Sequence, residues 1–588
     1  MPVEIPRPAT EFSVGQAEAV PATSQVIINH IGYDPGSPSA AVLGLPDGLP
    51  PRSVTIREVL ADASLGEPRD LSVGPVERVA RWHIGPFARV PLPVLATGTY
   101  VIECVDASGA LVSSPAFVVE PDLLQRSVLP DLLSYFRAQR SSGEIDRKDA
   151  AAQLYGDDSG FTVDARGAWL DASGDFSKFM SHLTYTRMMS PQQIPLCAWA
   201  FFAARDEIVR RHPEVAEMFT AHLRDEGLFG ADFLVRFRSP EGYFYTGIFD
   251  ALTKDLNERV INAPLPESVR TDRYQAAYRH GGGLAIAALA RASTQDVAGE
   301  FDSATYLRAA TEGFWHLEAH NTEYLFDGIE SVLDDYCALL AAAELVAAGV
   351  PSAEPAARAR AASLIGRYVT TDGGYLVGDF EGRPFFSAAE AGLPVIALLR
   401  FAEALPEGPD AEAARSCAAR ILLDLMARAD AVPNPFGYPR HRVQAVGGEA
   451  RESFFFPHEN ETGYWWQGEN ASVASLSTAA SLALSAGIIP AEHTERVARF
   501  AADQIAWVLG RNPFDACMVT GRGRNNPFYR VEWPNLLGGV VNGITGGIDD
   551  EEDLALLPGN AEEGRTWRWG EQWIPHAGWL TLALAAAR

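Results

Sequence analysis

Two stretches of this chain are apolar on every side of a helix. One is Leu284-Ala285-Ile286-Ala287-Ala288-Leu289-Ala290, and the other is Leu580-Thr581-Leu582-Ala583-Leu584-Ala585. A helix with no polar face must be covered all round by other protein. From Leu123 onward the chain is dominated by such segments. Pro195–Arg211, Glu214–Phe237, Tyr274–Ala292, Ser303–His320, Ser331–Ala348, Glu354–Tyr368, Ser387–Ala404, Asp410–Arg428, Ala471–Ala486, Pro490–Leu509 and Ile574–Ala587 carry apolar residues at i, i+3, i+4 and i+7. Gly- and Pro-rich loops join them. Helices that need cover on both sides predict a mainly α fold of two concentric helical layers, an α/α barrel. No fixed-period repeat is evident, which argues against a regular solenoid. The chemistry is expected in loops at one end of the barrel.

The first part of the chain reads differently. Residues 1–24 are rich in Pro, Ala and Glu and aperiodic, which predicts a flexible N-terminal arm. From Gln25 to about Pro121, short β-runs alternate with Gly/Pro/Asp clusters. The strand candidates are Val26–Asn29, Ser53–Ile56, Ala80–Ile84, Tyr100–Cys104 and Ala116–Val119. Their spacing predicts a small immunoglobulin-like β-sandwich over 25–121, with the barrel over 122–588 as the catalytic domain.

Composition excludes several roles. A net charge of −28 leaves no basic stripe for nucleic acid. No run of about 18 apolar residues suggests a membrane span. The sequence opens without a basic stretch followed by an apolar one, so a cytoplasmic location is expected. Secretion stays open if a leader precedes this sequence. The five cysteines are scattered, without a CxxC pair, and read as buried thiols.

Four constellations carry chemistry. Trp169-Leu170-Asp171-Ala172-Ser173-Gly174-Asp175-Phe176-Ser177-Lys178 holds two carboxylates four residues apart on a small-residue loop, with His182 and Tyr185 behind. Such a pair can hold one water between two bases. Asp175 could equally be a helix N-cap. The second runs from Phe454 to Asn470 and alternates polar groups with aromatic faces suited to sugar rings: His458, Glu459, Trp465, Trp466 and Glu469. The tryptophans could equally be core anchors. Its His-Glu pair lacks the two-His spacing of a zinc protease, so no metal is expected there. The third, Trp507–Tyr529, ends a helix at Gly510 and continues into a Gly/Arg/Asn-rich loop that reaches Tyr529. The fourth is Glu571 in Trp567-Arg568-Trp569-Gly570-Glu571, an acid among indole rings whose burial would raise its pKa. A solvated acid at a helix start is the alternative. Two bases and one high-pKa acid form a proton-transfer set for glycoside hydrolysis.

Together these stretches resemble glycoside hydrolase family 9. Gln25–Asp34 is similar to the opening of that family's N-terminal immunoglobulin-like module. Asp171–Asp175 resembles its DAGD motif with one residue more, and Val508–Gly521 resembles its C-terminal signature. Asn526-Pro527-Phe528-Tyr529-Arg530 stands where the family has PHHR. The resemblance implies an (α/α)6 barrel and an inverting mechanism, with Asp171, Asp175 and Glu571 catalytic. It implies an oligosaccharide substrate bound by Lys178, His182, Tyr185, His458, Glu459, Trp465, Trp466, Glu469, Tyr529 and Trp569. The longer acid spacing is more similar to the family's exo-acting β-glucosaminidases and β-glucosidase-like members. An endo-acting β-1,4-glucanase, a non-catalytic carbohydrate-binding scaffold and a polysaccharide lyase are the alternatives. No cofactor is required; structural calcium on the acidic run Asp549–Asp553 is a further expectation.

Overall fold

The computed structural model describes residues 23–530, 532–557 and 565–587. Most of the expected arm, residues 1–22, lies outside them. Eight antiparallel strands follow: β1 Gln25–Ile27, β2 Ala40–Gly44, β3 Ser53–Glu58, β4 Arg69–Asp70, β5 Phe87–Pro91, β6 Gly98–Val105, β7 Leu111–Ser113 and β8 Phe117–Val119. One sheet has the order β1-β2-β5. The other runs β4-β3-β6, with β7 and β8 both paired to β6. In β6 the residues Tyr100, Ile102 and Cys104 alternate inward, as one buried sheet face requires. β2 is buried along its whole length instead. Ala41 and Leu43 face the sandwich core, whereas Val42 joins the core of the helical part. That sheet is therefore covered on both faces, and near-continuous apolar runs mark such strands.

The expected strand at Ala80–Ile84 is not one. The segment is a turn, and Trp82 leaves the sandwich to pack on Phe436, Phe454 and Trp507. Its apolar residues serve the interface between the two parts rather than a sheet.

The helices are α1 Leu123–Gln139, α2 Gly143–Asp149, α3 Ile194–Arg211, α4 Pro213–Arg236, α5 Gly282–Ser293, α6 Ser303–Tyr324, α7 Val332–Ala347, α8 Glu354–Gly366, α9 Leu393–Ala404, α10 Pro409–Asp430, α11 Asn470–Ser485, α12 Thr494–Val508, α13 Trp567–Gly570 and α14 Ile574–Ala586. α3, α5, α7, α9, α11 and α14 touch in that order, and α14 closes back on α3. These are the helices buried nearly all round. α4, α6, α8, α10 and α12 each pack outside the inner helix before them in sequence, and α1 packs on α14. The result is an (α/α)6 barrel.

Connectivity then decides where chemistry can sit. Connections from inner to outer helix are short: 212, 294–302, 348–353, 405–408 and 486–493. Five of the six from outer to inner are long: 140–193, 237–281, 367–392, 431–469 and 509–573, with 325–331 the exception. All six lead into the N-termini of inner helices, so they gather at one end. Both acid-bearing segments belong to this set.

Candidate active site

Asp171 and Asp175 sit on a closed loop between α2 and α3. The Asp171 N–H donates to the Ser177 carbonyl at 2.9 Å, and the Asp175 N–H to the Ala172 carbonyl at 3.1 Å. Gly174 turns the chain at φ 79°. A Cβ there would come within 2.8 Å of Trp533 Cα, so a side chain is excluded. Asp175 is not a helix cap. Its Oδ1 accepts from the Ser177 N–H and hydroxyl, both at 2.9 Å, and strand Lys178–Phe179 follows.

The segment carrying Glu571 pairs with this loop along the backbone. Ala172 and Trp573 form an antiparallel bridge. The Ser173 N–H donates to the Gln572 carbonyl at 3.1 Å, and the Ile574 N–H to the Asp171 carbonyl at 3.1 Å. The additional loop residue, Ser173, also donates its hydroxyl to Gln572 Oε1. Three acids remote in sequence thus share one end of the barrel.

Their electrostatics differ. Burial, then the Asp175 charge, raises Asp171 well above the usual carboxyl range, although its Oδ1 accepts from Trp573 Nε1 at 3.1 Å and from Gln193 Nε2. Burial raises Asp175 too, opposed by the Ser177 hydrogen bonds and aided by Asp250. Burial and the charges of Asp175 and then Asp171 raise Glu571 well above its ordinary value, while Asn542 hydrogen-bonds its carboxyl.

His182, Trp465 and Trp573 make an adjoining wall. The His182 ring meets Trp465 edge-on at 5.7 Å and Trp573 at 5.9 Å. Its Nδ1–H donates to Gln193 Oε1 at 3.0 Å. Burial holds its pKa down at about 4, so the ring is neutral and Nε2 is an acceptor. Tyr185 is buried against Tyr464. Buried Tyr529 lies close enough to Glu571 to feel its charge; burial first, then that charge, pushes its hydroxyl up to about 12. The Glu459 carboxylate is exposed on the same loop set.

Five expected sugar contacts are corrected. Lys178 is buried and bound to Asp149 at 2.6 Å and to the carbonyls of Ala165 and Gly167. It braces the loop from behind. The Trp466 ring is taken up by His458, stacked at 3.6 Å, and by the Arg568 guanidinium at 4.4 Å. His458 thereby spends its own ring face on Trp466. Trp569 has no exposed surface and packs edge-on against Trp466. Glu469 is buried; it accepts from the Phe456 N–H at 3.2 Å and the Tyr438 hydroxyl at 3.5 Å. The calcium expectation also fails to find ligands. Among the described residues no group of three His, Cys, Asp or Glu is placed to hold a metal. Asp550 pairs with Arg81, Asp553 with His83, and Glu551 and Glu552 with Arg451.

Residues assigned no role from the sequence contribute as much. Gln193, the N-cap residue of α3, links His182 to Asp171. Asn542 is oriented by His576 at 2.9 Å. Gln193 follows a proline just before a helix, which marks a helix start but not a role. Asn542 carries no sequence signal of its own.

The sequence pattern of glycosyl hydrolase family 9 matches residues 126–530, over two thirds of the chain. The chain belongs to glycosyl hydrolase family 9. This family 9 enzyme is similar in fold to a metagenome-derived family 9 endoglucanase, with TM-score 0.64 and 18% identity over 96% of this chain and 99% of that one. It is similar to the family 9 endoglucanase J30, with TM-score 0.62 and 16% identity over 95% and 99% of the two chains. The cellulase Cel9M of C. cellulolyticum, solved with cellobiose, aligns at TM-score 0.50 and 17% identity over 78% and 96%. No curated protein sequence matches. As a family 9 member the chain is a glycoside hydrolase.

Proposed function

We propose that this enzyme hydrolyses β-1,4-linked, gluco-configured oligosaccharides with inversion, attacking the chain end. The reading rests on one observation: the backbone pairing of Ala172 with Trp573 holds the Asp171–Asp175 loop beside Glu571. Among the described residues the hydrogen bonds placed on the two aspartates use Oδ1 of each, which leaves Oδ2 to face a water. Asp175 takes the proton of that water as its oxygen attacks the anomeric carbon. Asp171 orients the same water. Glu571, protonated because it is buried beside two acids, gives its proton to the leaving oxygen. An acid-to-base separation of roughly 6.5–9.5 Å leaves room for the water. His182 and Trp465 line the sugar, and Glu459 on the rim is suited to pair with a 2-amino group, which favours glucosamine over glucose.

Chain-end attack is supported by the lengthened DASGD spacing and by Asn526–Arg530 in place of the usual PHHR. Internal attack on β-1,4-glucan is the second reading, favoured by the likeness to two endoglucanases. Product sizes from cello- and glucosamine oligomers separate them: single sugars from the start support chain-end attack, mixed oligomers internal attack. Proton NMR of the first product should show the α-anomer. A β-anomer would exclude the mechanism. Asp175→Asn and Glu571→Gln should each reduce kcat by about 10²–10⁴-fold in folded protein.

A further inference from the structure

A cavity of about 480 Å³ opens on the same end of the barrel, between residues 154–161 and the 237–281 connection. Its size suits a small organic ligand. The inner wall is aromatic. Tyr243 and Tyr245 meet edge to face at 5.4 Å, and Tyr245 and Tyr274 lie 6.0 Å apart. Tyr155 and Phe161 stand at the mouth, 40% and 44% exposed. Their exposed surface is of the kind on which a ligand ring can stack.

The rim carries one sign of charge. Asp157, Glu241 and Asp272 border the cavity, and no Lys, Arg or His lines it. All three share this lining with Tyr274, whose hydroxyl feels each of their charges. Arg273, a cation beside them in sequence, feels the Asp272 charge but does not line the cavity. Its guanidinium stands 4.0 Å over Phe326 and donates to the Leu325 carbonyl at 2.9 Å. Aromatic faces with an unbalanced negative rim suit an organic cation, which gains from both cation–π contact and ion pairing.

The cavity is distinct from the three acids but connected to them. Tyr245 pairs with Gln275. Three residues later Ile248 pairs with Lys178 of the catalytic loop. That is at most about 10 Å of extended backbone.

We propose that this cavity is a second, non-catalytic saccharide site that takes a protonated amino-sugar unit, its ring on the aromatic wall and its ammonium among Asp157, Glu241 and Asp272. The proposal stands apart from the roles given to the three acids, because binding is read without turnover. Tyr155→Trp places a fluorescent reporter at the exposed mouth, and the parent protein supplies the baseline from the other tryptophans. Methyl β-glucosaminide should change the reporter's emission saturably. Methyl β-glucoside, identical except for a hydroxyl in place of the amine, should bind at least ten-fold more weakly. Glu241→Gln with Asp272→Asn, both exposed and therefore tolerated, should weaken glucosaminide binding at least ten-fold, as should high salt. No response to the glucosaminide, an equal response to the glucoside, or indifference to the paired substitution would each overturn the proposal.

Discussion

Asp175 holds its charge on hydrogen bonds from the Ser177 N–H and hydroxyl and from the Phe176 backbone, against burial and against Asp250. Asp250 is buried and its carboxylate is fixed by the N–H groups of Leu252 and Lys254. The proposed mechanism needs Asp175 ionised and Glu571 protonated. Both pKa values are raised, so the pH profile should be a bell displaced above the ordinary carboxyl range. Asp250→Asn removes a negative charge from beside Asp175, which makes ionisation easier. Its acid limb should therefore move to lower pH while the alkaline limb stays; kcat/KM measured across pH checks this, and an unmoved acid limb would mean that Asp250 is not felt. The three acids were legible in the sequence because small residues on a loop, or indoles around one carboxyl, are unusual settings for Asp and Glu. Lys178, Trp466, Trp569 and Glu469 were misread for one reason: composition does not say whether a face is already covered. Amides such as Gln193 and Asn542 look alike in sequence whether they bind a catalytic acid or a stray carbonyl.

At the level of elements, one inner helix staples three others. Glu344 near the C-terminus of α7 accepts from Trp199 of α3 at 2.9 Å, Arg291 of α5 at 2.7 Å and Arg400 of α9 at 2.9 Å. Burial works to raise its pKa, but the two guanidinium charges outweigh burial and hold it at about 2. A depressed folded-state pKa adds stability that is present above the unfolded value, about 4.3, and is lost as pH falls through about 2. Glu344→Gln removes the buried carboxylate that Arg291 and Arg400 share and leaves them only Asp206 and Glu403 nearer the surface, so it should cost about 1–3 kcal/mol at neutral pH. The deficit should shrink below about pH 4, where the unfolded parent chain takes up a proton that folded Glu344 refuses until about pH 2. Urea unfolding at pH 7 and pH 3 measures both, and an equal deficit at the two would assign the loss to packing. The helices themselves were legible because inner and outer ones both keep a helical apolar period. Their starts were less so. α5 begins eight residues late because Gln275–Ala276 is taken into a strand pair and Tyr278–His280 forms a 3-10 turn. α9 begins six residues late, where Gly392 lies against Ser475 of α11. α1 was not singled out at all; it contains Pro130, a residue that argues against a helix interior.

At the scale of the whole molecule, the sandwich holds the connection that carries Glu571. The His30 N–H donates to the Leu509 carbonyl at 2.9 Å, and its ring pairs with Asp515 at 3.0 Å. Arg89 of β5 and Arg511 share Asp503. His83 grips Asp553 through its N–H and its ring, and Trp82 fills a pocket between Phe436, Phe454 and Trp507. Among the described residues these contacts fall on 509–515 and on Asp553 of the long connection, 509–573, and on α12 just before it. Trp82→Ala should cost about 3–5 kcal/mol, as emptying an aromatic pocket does. It should also lower kcat at temperatures well below unfolding, because Glu571 loses its fixed distance from Asp175. Calorimetry of the parent should show one transition for sandwich and barrel together. If two separate transitions appear, or if Trp82→Ala loses stability with kcat unchanged, the sandwich is an appendage and the barrel positions its own acid.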